Sequence, residues 1–336
     1  MAAQRTTLAE VAAAAGVSVA TVSKVVNDRP DVSSSTRDRI RELLDRHGYQ
    51  RSTPRTIQRP APVIEIGSPD LDGAYGWAVI DAIMAAAQAR GFRIQLGGRR
   101  LIIPKGRRSL PDEGPQPDGI IMITLSAMTE QLRLLGESGM PVVVVDPYEP
   151  PPAGMVSVGA TNFSGGVTGT QHLLDLGHTR IAHAGGPDTA VCSQARLAGY
   201  TSALRQAGVP LDESLITECE FRYEAADGPA ELLLDRPDRP TAIVAGNDEI
   251  ALGLIEQARR RGLRVPQDLS VVGFDDTLLA VRSTPQLTTV AQPLAEMGHT
   301  AVQAIAQLIE GERVSHGHIE LATRLQVRDS TAPPRE

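Results

Sequence analysis

Apolar positions in the first fifty residues recur with helical spacing, and from residue 63 onward they give way to short unbroken apolar runs. Leu8, Val11, Ala12 and Ala15 fall at i, i+3, i+4 and i+7, one face of a helix. Gly16 ends that pattern as a residue that tolerates positive φ. Ser18 is placed to cap a second helix through Val26, with Val22, Val25 and Val26 on its inner face. A third helix begins near Ser33–Thr36, turns Ile40, Leu43 and Leu44 inward and ends at His47-Gly48. Two short helices about a tight Gly turn predict a helix-turn-helix unit over residues 1–49.

Residues 50–62 are polar, basic and proline-bearing, and read as a hinge or linker. The apolar runs that follow are Val63–Gly67, Phe92–Leu96, Gly119–Leu125, Pro141–Asp146, Arg180–Gly185, Ala242–Ala245 and Leu269–Phe274. Amphipathic stretches follow most of them, among them Trp77–Arg90, Phe163–Leu176, Arg196–Ala207 and Glu249–Arg261. Fully apolar strands alternating with helices predict doubly wound parallel α/β sheets covered on both faces, over residues 63–330. The segment 97–117 interrupts this alternation, because Pro104, Gly106, Pro111, Gly114, Pro115 and Pro117 forbid a long helix there; a surface loop is expected.

Charge changes the picture. The chain of 336 residues has a formal net charge of −7, yet residues 1–62 hold ten Lys/Arg against six Asp/Glu, a net +4 that leaves −11 on the remainder. A small basic head on an acidic body fits a protein in which only the head meets phosphates. No run approaches the ~18 apolar residues of a membrane span. The Ala/Val-rich stretch 11–20 is broken off from a signal-peptide reading by Glu10, so a cytoplasmic, nucleoid-associated protein is expected. Cys192 and Cys219 suit neither a disulfide framework nor a zinc site. The seven histidines show no metal-ligand spacing, so no metal or cofactor is expected.

The filling of the head is more specific than its spacing. Thr7-Leu8-Ala9-Glu10-Val11-Ala12, Ala15-Gly16-Val17-Ser18, Thr21-Val22-Ser23-Lys24-Val25-Val26-Asn27 and Val32-Ser33 with Thr36-Arg37 closely resemble the head of the lactose-repressor (LacI/GalR) family. The resemblance continues through Leu176-Gly177-His178-Thr179-Arg180, Arg196-Leu197-Ala198-Gly199-Tyr200, Ala245-Gly246-Asn247-Asp248, Val272-Gly273-Phe274-Asp275-Asp276 and Gln292-Pro293. It implies an all-α head on a periplasmic-binding-protein-like core. Three crossovers would join two subdomains, about 63–160 with 292–318 and about 161–290 with 319–330. It also implies a repressor that binds near-palindromic operator DNA as a homodimer or tetramer, and that a small saccharide releases.

For DNA, the second helix should enter the major groove. The resemblance makes Val19, Ala20 and Lys24 the base readers, with Lys24 donating to guanine and the two apolar residues packing on thymine methyls. Thr7, Ser18, Thr21, Ser23, Asn27, Ser33 and Thr36 suit phosphate oxygens, although each hydroxyl can equally be a local cap. Family members follow the third helix with a hinge helix whose leucine wedges into the minor groove. Here that position falls on Gln58, with Ile57 the only nearby apolar side chain and Pro54 inside the stretch. Weaker operator bending is therefore expected, with Arg51, Arg55 and Arg59 on the backbone.

For the ligand, open α/β sheets bind at the carboxyl ends of their strands. Asp146 and Asp275 end predicted strands, Asn247 follows one, Arg196 opens a helix and Gln292 follows a crossover strand. Phe221 matches an aromatic position of the family, and Tyr75 or Trp77 lies after the first strand. In a chain with 3% aromatics, a ring at such a mouth is informative. Two carboxylates, two amides and a guanidinium suit a neutral polyol. Asp248 and Asp276 are expected as caps as readily as ligands. No GxGxxG after a strand, GxxxxGK[ST], GxSxG or HExxH is present, which argues against an enzyme. The rival readings are an exported-type sugar-binding protein and a regulator whose core no longer binds a sugar.

Overall fold

The computed structural model describes residues 7–27, 29, 31–47, 61–68, 73–97, 116–124 and 128–335. The chain divides between Pro60 and Ala61 into two units. Residues 48–60, with Ile57, Gln58, Pro54 and the three hinge arginines, lie outside the described residues, as do residues 98–115 of the irregular segment.

The head is three helices, α1 (Leu8–Ala15), α2 (Val19–Val26) and α3 (Ser34–Arg46). Local chemistry sets their ends. Thr7 and Glu10 form a reciprocal capping box, Gly16 closes α1 at φ 63°, and Ser18 and Ser33 cap α2 and α3. The chain bends by 109° between α1 and α2, within the range of helix-turn-helix units. Val11, Ala12, Ala15, Val22, Val25 and Ile40 form the buried centre of this unit.

The core holds two six-stranded sheets. The first orders β11-β5-β4-β3-β1-β2 and is parallel throughout. Its strands are β1 (Val63–Gly67), β2 (Arg93–Gly97), β3 (Gly119–Ile123), β4 (Val142–Val145), β5 (Val156–Ala160) and β11 (His318–Leu321). The second orders β12-β10-β9-β8-β6-β7, with only β12 antiparallel. It comprises β6 (Ile181–Gly185), β7 (Ile216–Glu218), β8 (Ala242–Ala245), β9 (Ser270–Asp275), β10 (Thr288–Ala291) and β12 (Arg324–Gln326). The core helices are α4 (Ala74–Ala89), α5 (Thr129–Glu137), α6 (Asn162–Asp175), α7 (Val191–Gln206), α8 (Asp227–Leu234), α9 (Asp248–Arg260), α10 (Leu278–Arg282) and α11 (Leu294–Ile309).

The chain crosses between sheets near Thr161, near Gln292 and after Leu321. The last crossing corrects the expected boundary at 318: His318–Leu321 pairs in register with Ser157–Ala160, so β11 closes the first sheet before the chain returns. Two crossings are stapled to each other, as the Thr323 amide donates to Thr161 Oγ1 at 3.0 Å. Alternating inward residues of the strands pack under α4 and α11 in the first subdomain and under α8 and α9 in the second.

One helix pair positions the site. α6 and α7 touch backbone to backbone: a Cβ on Gly166 would lie 2.3 Å from the Arg196 carbonyl oxygen, and one on Gly199 would lie 2.3 Å from that of Phe163. Any larger residue would push α7, and with it Arg196, out of place.

Candidate functional site

In the head, α2 presents its outward face to solvent. Val19, Ala20 and Lys24 are exposed, while Val22 and Val25 are buried. The Lys24 ammonium lies 2.6 Å from Asp31, so in the free head it is held by an exposed ion pair. Such pairs are weak and readily exchanged for a stronger acceptor. Ser18 Oγ accepts the Thr21 amide and lies 2.9 Å from Thr21 Oγ1, and Ser33 stands to Thr36 in the same way at 2.8 Å. Thr7 caps α1, and Asn27 Nδ2 reaches Ser23 Oγ at 3.4 Å. Thr7, Ser18 and Ser33 thus serve as local caps.

In the core, the strand ends of both sheets converge on a cavity of about 520 Å³. Tyr75, Asp146, Arg196, Phe221, Asn247 and Asp275 line it together. From the first sheet, the Tyr75 hydroxyl donates to Asp146 Oδ2 at 2.8 Å. From the second, Asn247 caps α9 by accepting the Ile250 amide at 2.8 Å and turns its amide nitrogen toward the Phe221 carbonyl.

Arg196 is 4% exposed and is held on every side. Its Nε donates to Asn162 Oδ1 at 2.9 Å and its Nη1 to the Gly246 carbonyl at 2.6 Å. The guanidinium carbon stacks 3.7 Å from the Phe274 ring centroid, and Nη2 lies 3.8 Å from Asp275 Oδ1. That last contact is too long for a good hydrogen bond. Asp275 instead accepts from Gln292 Nε2 at 2.7 Å.

The backbone at both strand-end carboxylates is unusual: Asp146 has φ 48° and Asp275 φ 113°. Strained non-glycine residues of this kind concentrate where a side chain must be aimed. Burial raises both carboxyls above the usual range, Arg196 opposing the shift without cancelling it. Burial likewise pushes the Cys192 thiol, in the same wall, up to about 11.

Among the described residues, three bonds bridge the cleft between subdomains. The Ala74 amide donates to Glu249 Oε1 at 2.9 Å, the Val191 amide to the Tyr148 carbonyl at 2.9 Å, and Tyr148 Oη lies 2.8 Å from Thr189 Oγ1.

Two of the predicted ligand residues stand elsewhere. Trp77 is 52% exposed and does not line the cavity, because Tyr75 and Gly76 already do and each further residue turns a helix by about 100°. Gln292 is buried behind Asp275 and positions it rather than facing the cavity. Asp248 and Asp276 are structural: Asp248 accepts from Thr277 and Thr289, and Asp276 pairs with Arg328 at 2.6 Å.

Sequence reading missed Thr124, Tyr148, Glu220, Arg222, Glu224 and Glu249. Tyr148 and Glu249 follow recognised strand ends by two and four residues, so the strand-end rule could have found them. Glu220, Arg222 and Glu224 follow β7, a three-residue strand with no apolar run to mark it. Among the described residues no group of His, Cys, Asp and Glu has the arrangement of a metal site.

Residues 7–52 match the family described as bacterial regulatory proteins, lacI family, and residues 170–331 match the periplasmic binding protein-like domain. The chain is 34% identical to the HTH-type transcriptional regulator DegA of Bacillus subtilis, across 98% of this chain and 99% of that one. Its fold superposes on the transcriptional regulator CelR–cellobiose complex with TM-score 0.71 and 30% identity, covering 97% of this chain and 100% of the other. The lac repressor dimer bound to operator and the anti-inducer ONPF gives TM-score 0.68 at 25% identity, over 98% and 100%. A head of capped helices with an exposed outer face on the second helix, a core whose strand ends meet in a cleft, and similarity along essentially the whole chain lead to one assignment: the protein belongs to the lacI family and is a helix-turn-helix transcriptional regulator.

Proposed function

We propose that the protein represses transcription as a homodimer on a near-palindromic operator and is released when a small saccharide binds the core cleft. The observation that carries the ligand class is the cleft's composition. Two carboxylates at strand ends, an amide, a tyrosine hydroxyl and a rigid guanidinium share the cavity wall with the Phe221 ring. Such a set offers paired acceptors and donors to vicinal hydroxyls and an apolar surface to sugar C–H bonds. Glu220, Glu224 and Glu249 outnumber Arg222 in the rest of the lining, which disfavours an anionic effector. The cellobiose bound by the CelR structure and the anti-inducer on the lac repressor dimer support a saccharide-responsive core.

In this reading Val19, Ala20 and Lys24 read base edges, and Thr7, Ser18, Thr21, Ser23, Asn27, Ser33 and Thr36 position the head on phosphates. With Gln58 at the wedge position and Ile57 the only nearby apolar side chain, the hinge bends the operator less than in other family members, and Arg51, Arg55 and Arg59 hold the backbone. Ligand binding shifts the balance between operator-competent and incompetent states through the three bonds across the cleft. A thermal-shift screen of mono- and disaccharides, followed by operator gel shifts with each hit, tests the proposal. A sugar that raises the melting temperature and releases operator is the expected result. Sugars that bind without changing operator affinity would overturn the inducer role, and a panel with no hit would overturn the ligand class.

A further inference from the structure

The second subdomain holds another cavity, of about 470 Å³, at the β6–β7 edge of its sheet. His183 of β6, Ser193 of α7 and Thr217 of β7 stand in its wall. His183 Nδ1, Ser193 Oγ and Thr217 Oγ1 are all buried and have no hydrogen-bond partner among the described residues. His183 is 2% exposed and Ser193 5%. Buried polar atoms are nearly always paired in native proteins, so three in one wall leave hydrogen-bonding capacity that an occupant can take up.

The rest of the wall defines what completes it. Leu197, Ile216, Pro229 and Leu232 supply an apolar surface. The lining carboxylates, Asp188 and Glu218, are exposed, and among the described residues no Lys or Arg lines the cavity. Solvated acids repel an anion yet give no buried counter-charge to a cation. His183 is kept neutral, its imidazole pushed down to about 4 by burial and then by Arg196. The occupant is therefore uncharged, with an apolar body and a hydrogen-bonding end.

The cavity also shares walls with the cleft. Successive residues of α7 face different cavities, Cys192 and Arg196 the cleft, Ser193 and Leu197 this one. Thr217 and Glu218 likewise run on into Glu220–Arg222 of the cleft. We propose that this cavity is a second effector site for an uncharged amphiphilic small molecule, coupled to the cleft through the first turn of α7 and the segment after β7.

Benzamide and benzoate have nearly the same shape and differ in charge, so they test the site on the full chain. Ligand-observed NMR near neutral pH should show saturable benzamide binding at least about tenfold tighter than benzoate. Leu232→Trp fills the cavity from a position that is 65% exposed, so the fold tolerates it. That variant and Ser193→Ala should each weaken benzamide by about threefold or more, roughly the loss of one contact. Saturating benzamide should also change the rate at which N-ethylmaleimide modifies Cys192, followed by peptide mass. No saturable benzamide binding, equal affinity for benzoate, or binding indifferent to both variants would overturn the site. An unchanged Cys192 rate with benzamide bound would overturn the coupling.

Discussion

In the head, the side chains proposed for DNA stand in solvent: Val19 is 48% exposed, and among the described residues Lys24 is held by one exposed ion pair. In the cleft, Arg196 and Asp275 are each 4% exposed and already carry their hydrogen bonds. On the proposed function, the difference follows from the partner. A polyanion as large as a DNA duplex is met from outside, and its readers can stay hydrated until contact. A small neutral ligand must be enclosed, and enclosure is affordable only if the enclosing polar groups are desolvated and aimed beforehand. Substitution in the head should therefore change binding and leave the fold intact, whereas in the cleft the two are inseparable.

Arg196→Ala breaks this comparison hardest. It strands the Gly246 carbonyl and Asn162 and removes the charge facing Asp275, so unfolding in urea should show a loss of about 3–5 kcal/mol. The folded fraction should still bind operator and ignore the inducer. A variant of unchanged stability would mean the cleft is as solvated as the head.

His183 gives the next largest effect. Burial holds its imidazole near 4 in the fold, against the usual value near 6.5 in the unfolded chain. The unfolded chain thus takes up the proton first. The stability His183 contributes is complete above pH 6.5 and is lost as pH falls toward 4, by up to about 3 kcal/mol. His183→Phe keeps a ring beside Tyr200 and should remove that part of the slope in melts recorded across this range. An unaltered slope would place the acid sensitivity elsewhere.

Lys24→Ala should lower operator affinity by about 1–3 kcal/mol and relax preference at one base pair per half-site, with the melting temperature unchanged. Equal loss on random DNA would make Lys24 a phosphate contact. The smallest effect belongs to Asp31→Asn, which frees Lys24 and removes a negative charge beside it. Operator affinity should rise by about two- to fivefold and the gain should shrink as salt is added. A fall in affinity would show that Asp31 positions Lys24 rather than competing for it.

The two regions also differ in how legible they were. Thr7 and Glu10, Ser18 and Thr21, Ser33 and Thr36 are three residues apart, so the caps, helices and turn of the head follow from neighbours in the chain. The apolar runs that became β1, β3, β4, β6, β8 and β9 were equally plain, because strands buried on both faces are dominated by apolar residues, with only isolated polar ones such as Glu65 and His183 inside them. β7, β11 and β12 were not. They are edge strands of three or four residues with mixed burial, and only their pairing makes them strands.

What the sequence by itself determined is therefore the set of local units, a capped helix-turn-helix and a series of β/α repeats, together with a few strand-end residues marked by position. The tertiary structure alone decided which of these meet. Tyr75 reaches Asp146 across 71 residues, Glu249 meets the Ala74 amide across 175, and Arg196 settles on Phe274 because two glycines let α6 and α7 touch. It also turned Trp77 out and Gln292 behind its neighbour, since a side chain's direction depends on helix phase and packing rather than on nearness in sequence. Local hydrogen bonds and apolar periodicity act over three or four residues. The order of strands in two sheets and the three crossings between them act over the whole chain, and the cleft exists only where they bring the strand ends together.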